Sequence, residues 1–329
     1  MKNKIFQTNE SNFLEHSLEI FYYQYDNCPV YREYCALMDI MKSDVKTLFD
    51  IPFLPISFFK SHKVICSKDT SAKVDIVFSS SATTGMVPSK HYVLDVSVYD
   101  RAFMKDFKYF YENIEDYTVL ALLPSYLERK GSSLIYMIDR FIKDSKSLDS
   151  GYYLYNYEDM YHKMVELLSV GKKCILFGVT FALLDFVKEY QLPSGLNSNL
   201  IVFETGGMKG RGKELSRDEI HARITKALGC DTVNSEYGMC ELLSQGYSKG
   251  NGLFYCPPWM KILIRDLVNP FEYLPYNKKG GINVIDLANI NSCSFIETED
   301  LGTLYKDSSY TVEGRISKAE RRGCNMIIE

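Results

Sequence analysis

The sequence predicts an α/β protein with a largely parallel main sheet. Short runs of aliphatic and aromatic residues at positions 74–78, 118–123 and 173–177 are typical of buried strands. Helices are predicted between and after them, over about residues 95–113, 157–170 and 180–190. Strands that alternate with helices build a parallel sheet, and the functional residues of such sheets lie beyond the carboxyl ends of the strands.

Composition and charge exclude some classes of function. The chain has 329 residues, of which 46% are hydrophobic and 24% charged, so it can bury a core in more than one structural unit. With 38 basic and 42 acidic residues the net charge is −4, which gives no electrostatic footprint for nucleic acid. We therefore expect no nucleic-acid partner.

Cysteine usage and hydropathy indicate the compartment. The nine cysteines form no C-x-x-C pair and have no zinc-type spacing. The N-terminus has no apolar signal segment, and the longest apolar run, residues 174–184, is too short to span a bilayer. These features predict a cytoplasmic protein without a membrane span, in which free thiols survive and can react.

The chain divides into four predicted regions. Apolar residues at three- and four-residue spacings predict helices at the N-terminus, and Pro52 and Pro55 then force an extended segment. After residue 246, short strands alternate with Asn, Gly and Pro turns, which predicts a small β-barrel or sheet. The regions are an N-terminal helical region (1–50), a first α/β subdomain (51–156), a second α/β subdomain (157–248) and a small β subdomain with the C-terminal tail (249–329).

A loop rich in hydroxyl groups follows the first predicted strand. Small residues let a backbone approach phosphate closely, and hydroxyl and N–H groups donate to its oxygens. A surface turn rich in Ser and Thr has the same composition, so this segment alone does not decide between the two interpretations. Pro88 closes the loop, whose residues are Ser79, Ser80, Ser81, Ala82, Thr83, Thr84 and Gly85.

A glycine-rich segment follows the strand predicted at residues 200–204. From Thr205 to Glu214 it reads T-G-G-M-K-G-R-G-K-E, which nearly matches the phosphate-binding pattern G-x-x-x-x-G-K-[ST]. Glu214 stands where that pattern has a magnesium-ligating hydroxyl, and its carboxylate would repel phosphate. The next helix also starts late, at a capping box formed by Ser216 and Glu219. We therefore reject this type of nucleotide loop.

Another segment, S-E-Y-G-M-C-E at residues 235–241, carries groups that suit a nucleotide. Tyr237 beside Gly238 can line a flat heterocycle, and Glu241 offers the hard oxygen ligands that Mg²⁺ prefers. Each of these residue types alone is more often structural. Two short motifs, E-D-L-G at residues 299–302 and E-G-R at residues 313–315, follow in the small β region.

The order of these segments resembles that of the adenylate-forming superfamily of acyl-CoA synthetases. Within it, the chain resembles the acyl-protein synthetases of the LuxE type, which activate fatty acids in bacterial luminescence reductase systems. The resemblance extends from about residue 51 to the C-terminus, over long blocks in the order expected of the family. The blocks read IPFLPISFFKSHKV, ETGGMKGRGKELSRDE, SEYGMCELLSQGY, PPWMKILIRD, INVIDLANINSCSFIETEDLG and GRISKAERRGCN.

The resemblance implies a fold and a reaction. The fold would be the large domain of the superfamily, with mostly parallel sheets flanked by helices and a small β-barrel. The reaction would use ATP and Mg²⁺ in two steps. A fatty acyl carboxylate would form an acyl-adenylate, and a thiol on the protein would then take the acyl group for delivery to a reductase partner.

The resemblance also implies roles for individual residues. The phosphates would be held by Ser79, Ser80, Ser81, Thr83, Thr84 and Gly85. Adenine and the acyl end would be lined by Gly206, Gly207, Ser235, Glu236, Tyr237, Gly238 and Met239. Glu241 would hold Mg²⁺, Asp300 would bind the ribose hydroxyls, and Arg315 would assist at the ribose or phosphate.

Departures from the family pattern bear on these expectations. Ala82 stands at a usual glycine, and Cys240 replaces the usual threonine before the Mg²⁺ glutamate. The sequence also ends before the lid domain usual in the superfamily, so we expect the fold to lack that domain and its transition-state lysine. Lys209 and Arg211, or neighbouring Lys213, are the candidates to supply that positive charge.

Cys324 is the candidate acyl acceptor, because the acylated cysteine of the LuxE type lies near the C-terminus. Arg321 and Arg322 would favour its thiolate, and Gly323 gives mobility. A structural cysteine is the alternative for this residue. Two alternative functions also remain open. They are a ligase that passes the acyl group to coenzyme A or a carrier-protein thiol, and a non-catalytic nucleotide- or acyl-binding homologue.

Overall fold

Helices and strands alternate through most of the chain, which confirms the predicted α/β class. The structure, a computed structural model, describes residues 2–67, 72–80, 87–124, 131–206 and 215–316. In these ranges the helices are α1 (Lys2–Ile5), α2 (Phe13–Asn27), α3 (Pro29–Leu37), α4 (Phe58–Ser61), α5 (Val96–Tyr111), α6 (Ser133–Asp144), α7 (Tyr157–Ser169), α8 (Thr180–Glu189) and α9 (Arg217–Leu228). The strands are β1 (Leu54–Pro55), β2 (Ile76–Ser79), β3 (Lys90–Val93), β4 (Tyr117–Leu122), β5 (Gly151–Tyr152), β6 (Lys173–Val179), β7 (Leu200–Thr205), β8 (Asn234–Tyr237), β9 (Gly246–Ser248), β10 (Leu253–Tyr255), β11 (Met260–Arg265), β12 (Lys279–Asp286), β13 (Phe295–Thr303), β14 (Tyr310–Thr311) and β15 (Gly314–Arg315).

The chain forms two compact units, and each contains discontinuous segments. The first unit comprises Met1–Phe103, Gly238–Gln245 and Tyr255–Glu329. The second unit comprises Met104–Tyr237 and Gly246–Phe254. The S-E-Y-G-M-C-E motif is therefore shared, because its first three residues belong to the second unit and the rest to the first. The finer division into four regions stays a prediction.

The second unit is built on the predicted parallel sheet. Its strands run in the order β10-β9-β8-β7-β6-β4-β5, and β4 to β8 pair in parallel while β9 pairs antiparallel with β8. All residues of β4 are buried, as the continuous apolar run predicts for a strand covered on both faces. Parallel pairing brings the carboxyl ends of β6, β7 and β8 to one edge of the sheet, and the motif residues follow there.

The main sheet of the first unit is mixed. Strands β11, β12 and β13 pair antiparallel, β1 joins β13 in parallel, and β15 pairs antiparallel with β13. These strands confirm that short strands follow residue 246. Closure of this sheet into a barrel stays a prediction.

A buried arginine explains two details of this sheet. Arg265, at the end of β11, donates to the carbonyls of Ile282 and Thr298 at 2.9 and 2.7 Å and to Asn283 Oδ1 at 2.8 Å. A Cβ atom at Gly281 would lie 2.5 Å from Arg265 Cζ. Glycine is therefore required beside the guanidinium, which satisfies carbonyls at the irregular part of the β12–β13 pairing.

The first predicted strand differs from the expectation. Residues 74–78 were expected to form a buried strand, but among the described residues β2 pairs only with β3, in a separate antiparallel hairpin. Only Phe78 of β2 is buried, and Val77 is 37% exposed. A short apolar run does not reveal whether its strand lies in a sheet interior or in a half-covered hairpin, because both environments accept the same β-branched residues.

Candidate functional site

The first motif turn lies at the carboxyl end of β7 in the second unit. The strand ends at Thr205, and Gly206 has φ +86°, a conformation that favours glycine. Gly207, Lys209, Arg211 and Lys213 lie outside the described residues. Further along, Ser216 and Glu219 form the predicted capping box, and α9 begins at Arg217, which confirms the late helix start.

Strand β8 brings three motif residues beside this turn. Thr205 donates its hydroxyl to Glu236 Oε2 at 3.3 Å. Burial raises the pKa of the Glu236 carboxyl to about 7, although the hydrogen bond from Thr205 acts in the opposite direction. Ser235 is 3% exposed, and its hydroxyl has no hydrogen-bond partner among the residues that the structure describes. The Tyr237 ring is also buried, with its centroid 6.1 Å from that of Phe254.

The other half of the motif forms a turn in the first unit, at residues 239–244. Glu241 is 4% exposed, and the neighbouring backbone is held from two sides. His91 donates from Nδ1 to the Cys240 carbonyl at 2.8 Å, and Asn289 donates from Nδ2 to the Glu241 carbonyl at 2.6 Å. Burial lowers the pKa of His91 to about 4, so the imidazole is neutral near pH 7.

A buried aspartate at the end of β12 completes this turn. Asp286 Oδ2 accepts from the backbone N–H groups of Leu243 and Ser244 at 2.8 and 3.0 Å. Its Oδ1 accepts from the Ser244 hydroxyl at 2.7 Å and from the Ala288 N–H at 3.1 Å. Burial raises the pKa of Asp286, and these four donors oppose that rise. The turn that carries Glu241 is therefore shaped by residues from the block INVIDLAN.

The cysteine that replaces the usual threonine contacts Glu241. Burial, together with the neighbouring Glu241 carboxylate, raises the pKa of the Cys240 thiol. The thiol is therefore protonated near pH 7. A protonated thiol, itself a weak hydrogen-bond donor, therefore stands beside Glu241 at the position of the usual threonine.

The structure pairs the two motif residues of the small β region. Asp300 on β13 and Arg315 on β15 are register partners, and Arg315 Nε lies 3.8 Å from Asp300 Oδ1. The Asp300 side chain is 13% exposed and that of Arg315 is 80% exposed. Such a long, solvent-exposed contact contributes little to stability, so moving the Arg315 side chain to bind a ligand anion would cost little free energy.

The described part of the hydroxyl-rich loop is limited to its first two residues. Ser79 ends β2 opposite Lys90, and the Ser80 hydroxyl accepts from the Ser89 N–H at 2.9 Å. That bond closes the base of the hairpin. The remaining predicted phosphate contacts and the predicted acyl acceptor lie outside the described residues, and they are Ser81, Thr83, Thr84, Gly85 and Cys324.

Each unit thus gathers a part of the predicted set. In the second unit the structure brings together Thr205, Gly206, Ser235 and Glu236 at the ends of β7 and β8. Sequence reasoning missed two buried carboxylates next to the motif residues. Asp286 holds the Glu241 turn in the first unit, and Glu204 directly precedes Thr205 in the second unit. Their only sequence signal was their position at the end of a predicted apolar strand, where an acidic residue is unexpected.

The N-terminal third of the chain matches a family model. Residues 4–111 match the model of the family described as "Acyl-protein synthetase, LuxE". The predicted resemblance to that family is therefore confirmed over these residues, about a third of the chain. The expected enzyme class, an adenylate-forming ligase, is confirmed with it. A search of curated protein sequences gives no match.

Solved structures of ligases share the fold of this chain. A 2-hydroxyisobutyryl-CoA ligase in complex with 2-HIB-AMP and CoA aligns with TM-score 0.67 and 17% identity, over 94% of this chain and 68% of the ligase. ATP-bound MatB from Rhodopseudomonas palustris aligns with TM-score 0.55 and 15% identity, over 76% of this chain and 50% of MatB. At these identities the similarity shows the fold, and the chain spans only half the length of MatB.

The described part of the chain contains neither a candidate membrane span nor a cluster of metal ligands. Within the described ranges, no helix is long and apolar enough to cross a bilayer. The same residues contain no group of three or more His, Cys, Asp or Glu side chains arranged to hold a metal ion.

Proposed function

We propose that the protein activates a fatty acid with ATP as an acyl-adenylate and then transfers the acyl group to one of its own cysteine thiols, for delivery to a reductase. The observation that carries this proposal is the match of residues 4–111 to the acyl-protein synthetase family. The fold shared with adenylate-forming ligases supports it. Reaction with a free thiol requires a reducing compartment, so we also propose a cytoplasmic location.

The motif residues would bind ATP. The hydroxyl-rich loop from Ser79 to Gly85 would hold the phosphates, and the Thr205–Gly206 turn with Gly207 would lie against adenine. The buried, unpartnered Ser235 hydroxyl supports a ligand contact there, because an unsatisfied buried polar group is costly and a ligand atom would satisfy it. Glu236, Tyr237, Gly238 and Met239 would line adenine and the acyl end, and Asp300 and Arg315 would bind ribose or phosphate.

Glu241 would hold Mg²⁺. A single buried carboxylate fits this ion, which proteins usually bind through one or two carboxylates together with substrate phosphates and water. When bound, the ion would neutralise phosphate charge. The chain's own contribution is to fix Glu241 in place through the hydrogen bonds of Asn289 and His91 to its backbone and to that of Cys240.

The first step makes the carboxylate reactive. A carboxylate oxygen of the fatty acid attacks the α-phosphorus of ATP, the bond from that phosphorus to the bridging oxygen breaks, and pyrophosphate leaves. The acyl carbon then carries AMP as its leaving group instead of an oxide. Lys209 and Arg211 are proposed to stabilise the negative charge that develops on the phosphate oxygens.

The second step needs an accessible thiol. A cysteine thiolate attacks the acyl carbon, a thioester forms and AMP leaves. Seven of the eight described cysteines are buried. Burial raises the pKa of Cys35 and Cys174 to about 12 and that of Cys230 to about 11. The pKa of Cys28 is lowered by a hydrogen bond from Cys66, but Cys28 has no exposed surface.

These properties leave Cys256, which is partly exposed, and the proposed acceptor Cys324. The test uses radiolabelled hexadecanoate, ATP and Mg²⁺ without added thiol. The wild type and Cys256→Ser should retain label on the protein that hydroxylamine releases, whereas Cys324→Ser should make acyl-adenylate and retain almost none. Retention of the hydroxylamine-labile label by Cys324→Ser would contradict the assignment.

The same assay separates the proposed function from its alternatives. Label that leaves the wild-type protein only when coenzyme A or a carrier-protein thiol is added would favour a ligase that uses an external thiol. Absence of carboxylate-dependent exchange of pyrophosphate into ATP by the wild type would favour a non-catalytic binding protein.

A further inference from the structure

A buried carboxylate lies next to the Thr205–Gly206 turn and has no part in the roles proposed so far. Glu204 is on β7, directly before Thr205, and is 9% exposed. Acidic side chains are rarely buried to this degree without partners, because the loss of hydration disfavours the charge. Its contacts therefore need an explanation.

The Glu204 carboxylate joins three elements of the second unit. Thr180, the first residue of α8, donates its hydroxyl to Glu204 Oε1. On the other side, His221 of α9 places Nε2 at 3.9 Å from Glu204 Oε2, beyond hydrogen-bond distance, and that buried nitrogen has no hydrogen-bond partner among the described residues. Through these contacts one side chain connects the end of β7 with the start of α8 and with the first turns of α9.

The surroundings favour the charged form of Glu204. Burial by itself would raise the pKa of the carboxyl, but the interactions with His221 and Thr180 and the positive charge of Arg217 together hold it below the ordinary value. The N-terminus of α8 also favours a negative charge beside Thr180. The carboxylate is therefore a fixed acceptor near pH 7.

This arrangement fixes both neighbours of the turn. Thr205 and Gly206 follow Glu204 directly, and the described chain resumes at Leu215, just before α9 and its residue His221. We propose that Glu204 is a positioning residue for the nucleotide, held by Thr180 and His221, and that it sets the backbone of the Thr205–Gly206 turn against adenine. This inference rests on the proposed function, because it assumes that ATP binds at that turn.

Variants that remove one contact at a time test the proposal. Glu204→Gln keeps an acceptor for Thr180 but removes the charge that faces His221, and Thr180→Val removes the hydroxyl donor. Each should raise the KM for ATP in pyrophosphate exchange with hexadecanoate by about tenfold, with a much smaller change in kcat. Thr180→Ser keeps the donor and should restore most of the affinity that Thr180→Val loses.

The second unit supplies a matched control. His162 Nε2 and Glu158 Oε1 on α7 lie 3.8 Å apart, nearly the same separation as in the His221–Glu204 pair, but both side chains are at least 70% exposed. Glu158→Gln should therefore leave KM and kcat as in the wild type, because an exposed pair of this kind contributes little.

Hydrogen exchange provides a readout that does not depend on activity. Peptides that contain β7 with Gly206, or the first turns of α9, should exchange faster in Glu204→Gln and Thr180→Val than in the wild type and Glu158→Gln. Unchanged KM and unchanged exchange in a folded Thr180→Val variant would overturn the proposal. A fall in kcat and melting temperature with KM unchanged would also overturn it, because that pattern indicates a structural role only.

Failure of the proposed function would be recognisable separately. If the wild type shows neither pyrophosphate exchange nor ATP binding, the proposed function fails and the role in nucleotide binding fails with it. If the wild type is active and the Glu204→Gln and Thr180→Val variants are indistinguishable from it in every readout, the positioning role is overturned while the proposed function stands.

Discussion

The two turns that carry motif residues are held by buried carboxylates, but the carboxylates act on different groups. In the second unit, Glu204 contacts the side chains of Thr180 and His221. In the first unit, Asp286 accepts from three backbone N–H groups and one hydroxyl. The Asp286 carboxylate is held by four hydrogen bonds, whereas Glu204 accepts one, from Thr180, and lies 3.9 Å from His221. The Glu241 turn should therefore be the more rigid of the two.

The largest expected effect is at Asp286. Asp286→Ala leaves the buried N–H groups of Leu243, Ser244 and Ala288 without an acceptor, and we expect a loss of about 3–5 kcal/mol in the free energy of unfolding. Urea unfolding gives this free energy when it is followed by the fluorescence of Trp259, the single tryptophan, which lies in the first unit.

Asp266 is a matched control for this prediction. It also accepts from two backbone N–H groups, those of Val268 and Asn269 at 2.7 and 2.9 Å, but it lies in an exposed turn. Asp266→Ala should cost about 1 kcal/mol or less, since water can replace the lost acceptor. Equal losses in the two variants would show that burial does not distinguish the Asp286 contacts.

The next effect concerns pH, and the two units should respond in opposite directions. His91 has a pKa lowered from 6.5 to about 4 by burial, so its contribution to stability is complete above about pH 6.5 and is lost as the pH falls towards 4. Glu236 has a pKa raised from 4.5 to about 7, so its protonated form favours the folded state at low pH and stability falls as the pH rises from about 4.5 to 7.

Single substitutions separate these contributions. His91→Gln should reduce the change in the free energy of unfolding between pH 4 and 6.5 by up to about 3 kcal/mol. Glu236→Gln should reduce the change between pH 4.5 and 7 by a smaller amount, because Glu236 is partly exposed. Unfolding free energies from urea titrations across pH 4–8 give both profiles. A profile that keeps its wild-type shape in either variant would contradict the assignment of that group.

The smallest effect on stability is expected at Arg315. Its contact with Asp300 is 3.8 Å long and largely exposed, so Arg315→Ala should change the free energy of unfolding by less than about 1 kcal/mol. If Arg315 binds ribose or phosphate as proposed, the same variant should raise the KM for ATP about tenfold. Lys306→Ala, at an exposed lysine on the same unit, should change neither quantity.

Much of the architecture could be predicted because its signals are local. The apolar runs at 118–123 and 173–177 became β4 and β6, and Ser216 and Glu219 capped α9 as their spacing predicts. The run at 74–78 forms a strand, but the strand lies in a separate hairpin and is only partly buried. Its partner β3 and the residues that pack on it depend on the tertiary structure. The short helix α4, directly after the predicted extended segment, had no clear pattern of its own.

The sequence by itself determined the order of strands and helices, the motif segments and the resemblance to a known family, since propensity, periodicity and motif order depend on neighbouring residues. Only the tertiary structure decided what holds those motifs. Glu204 meets Thr180 and His221, and Asp286 meets Leu243 and Ser244, only after the chain has folded. Burial then changes the proton affinity of Glu236 and His91, because removal from water penalises charge in a way that no residue type carries by itself.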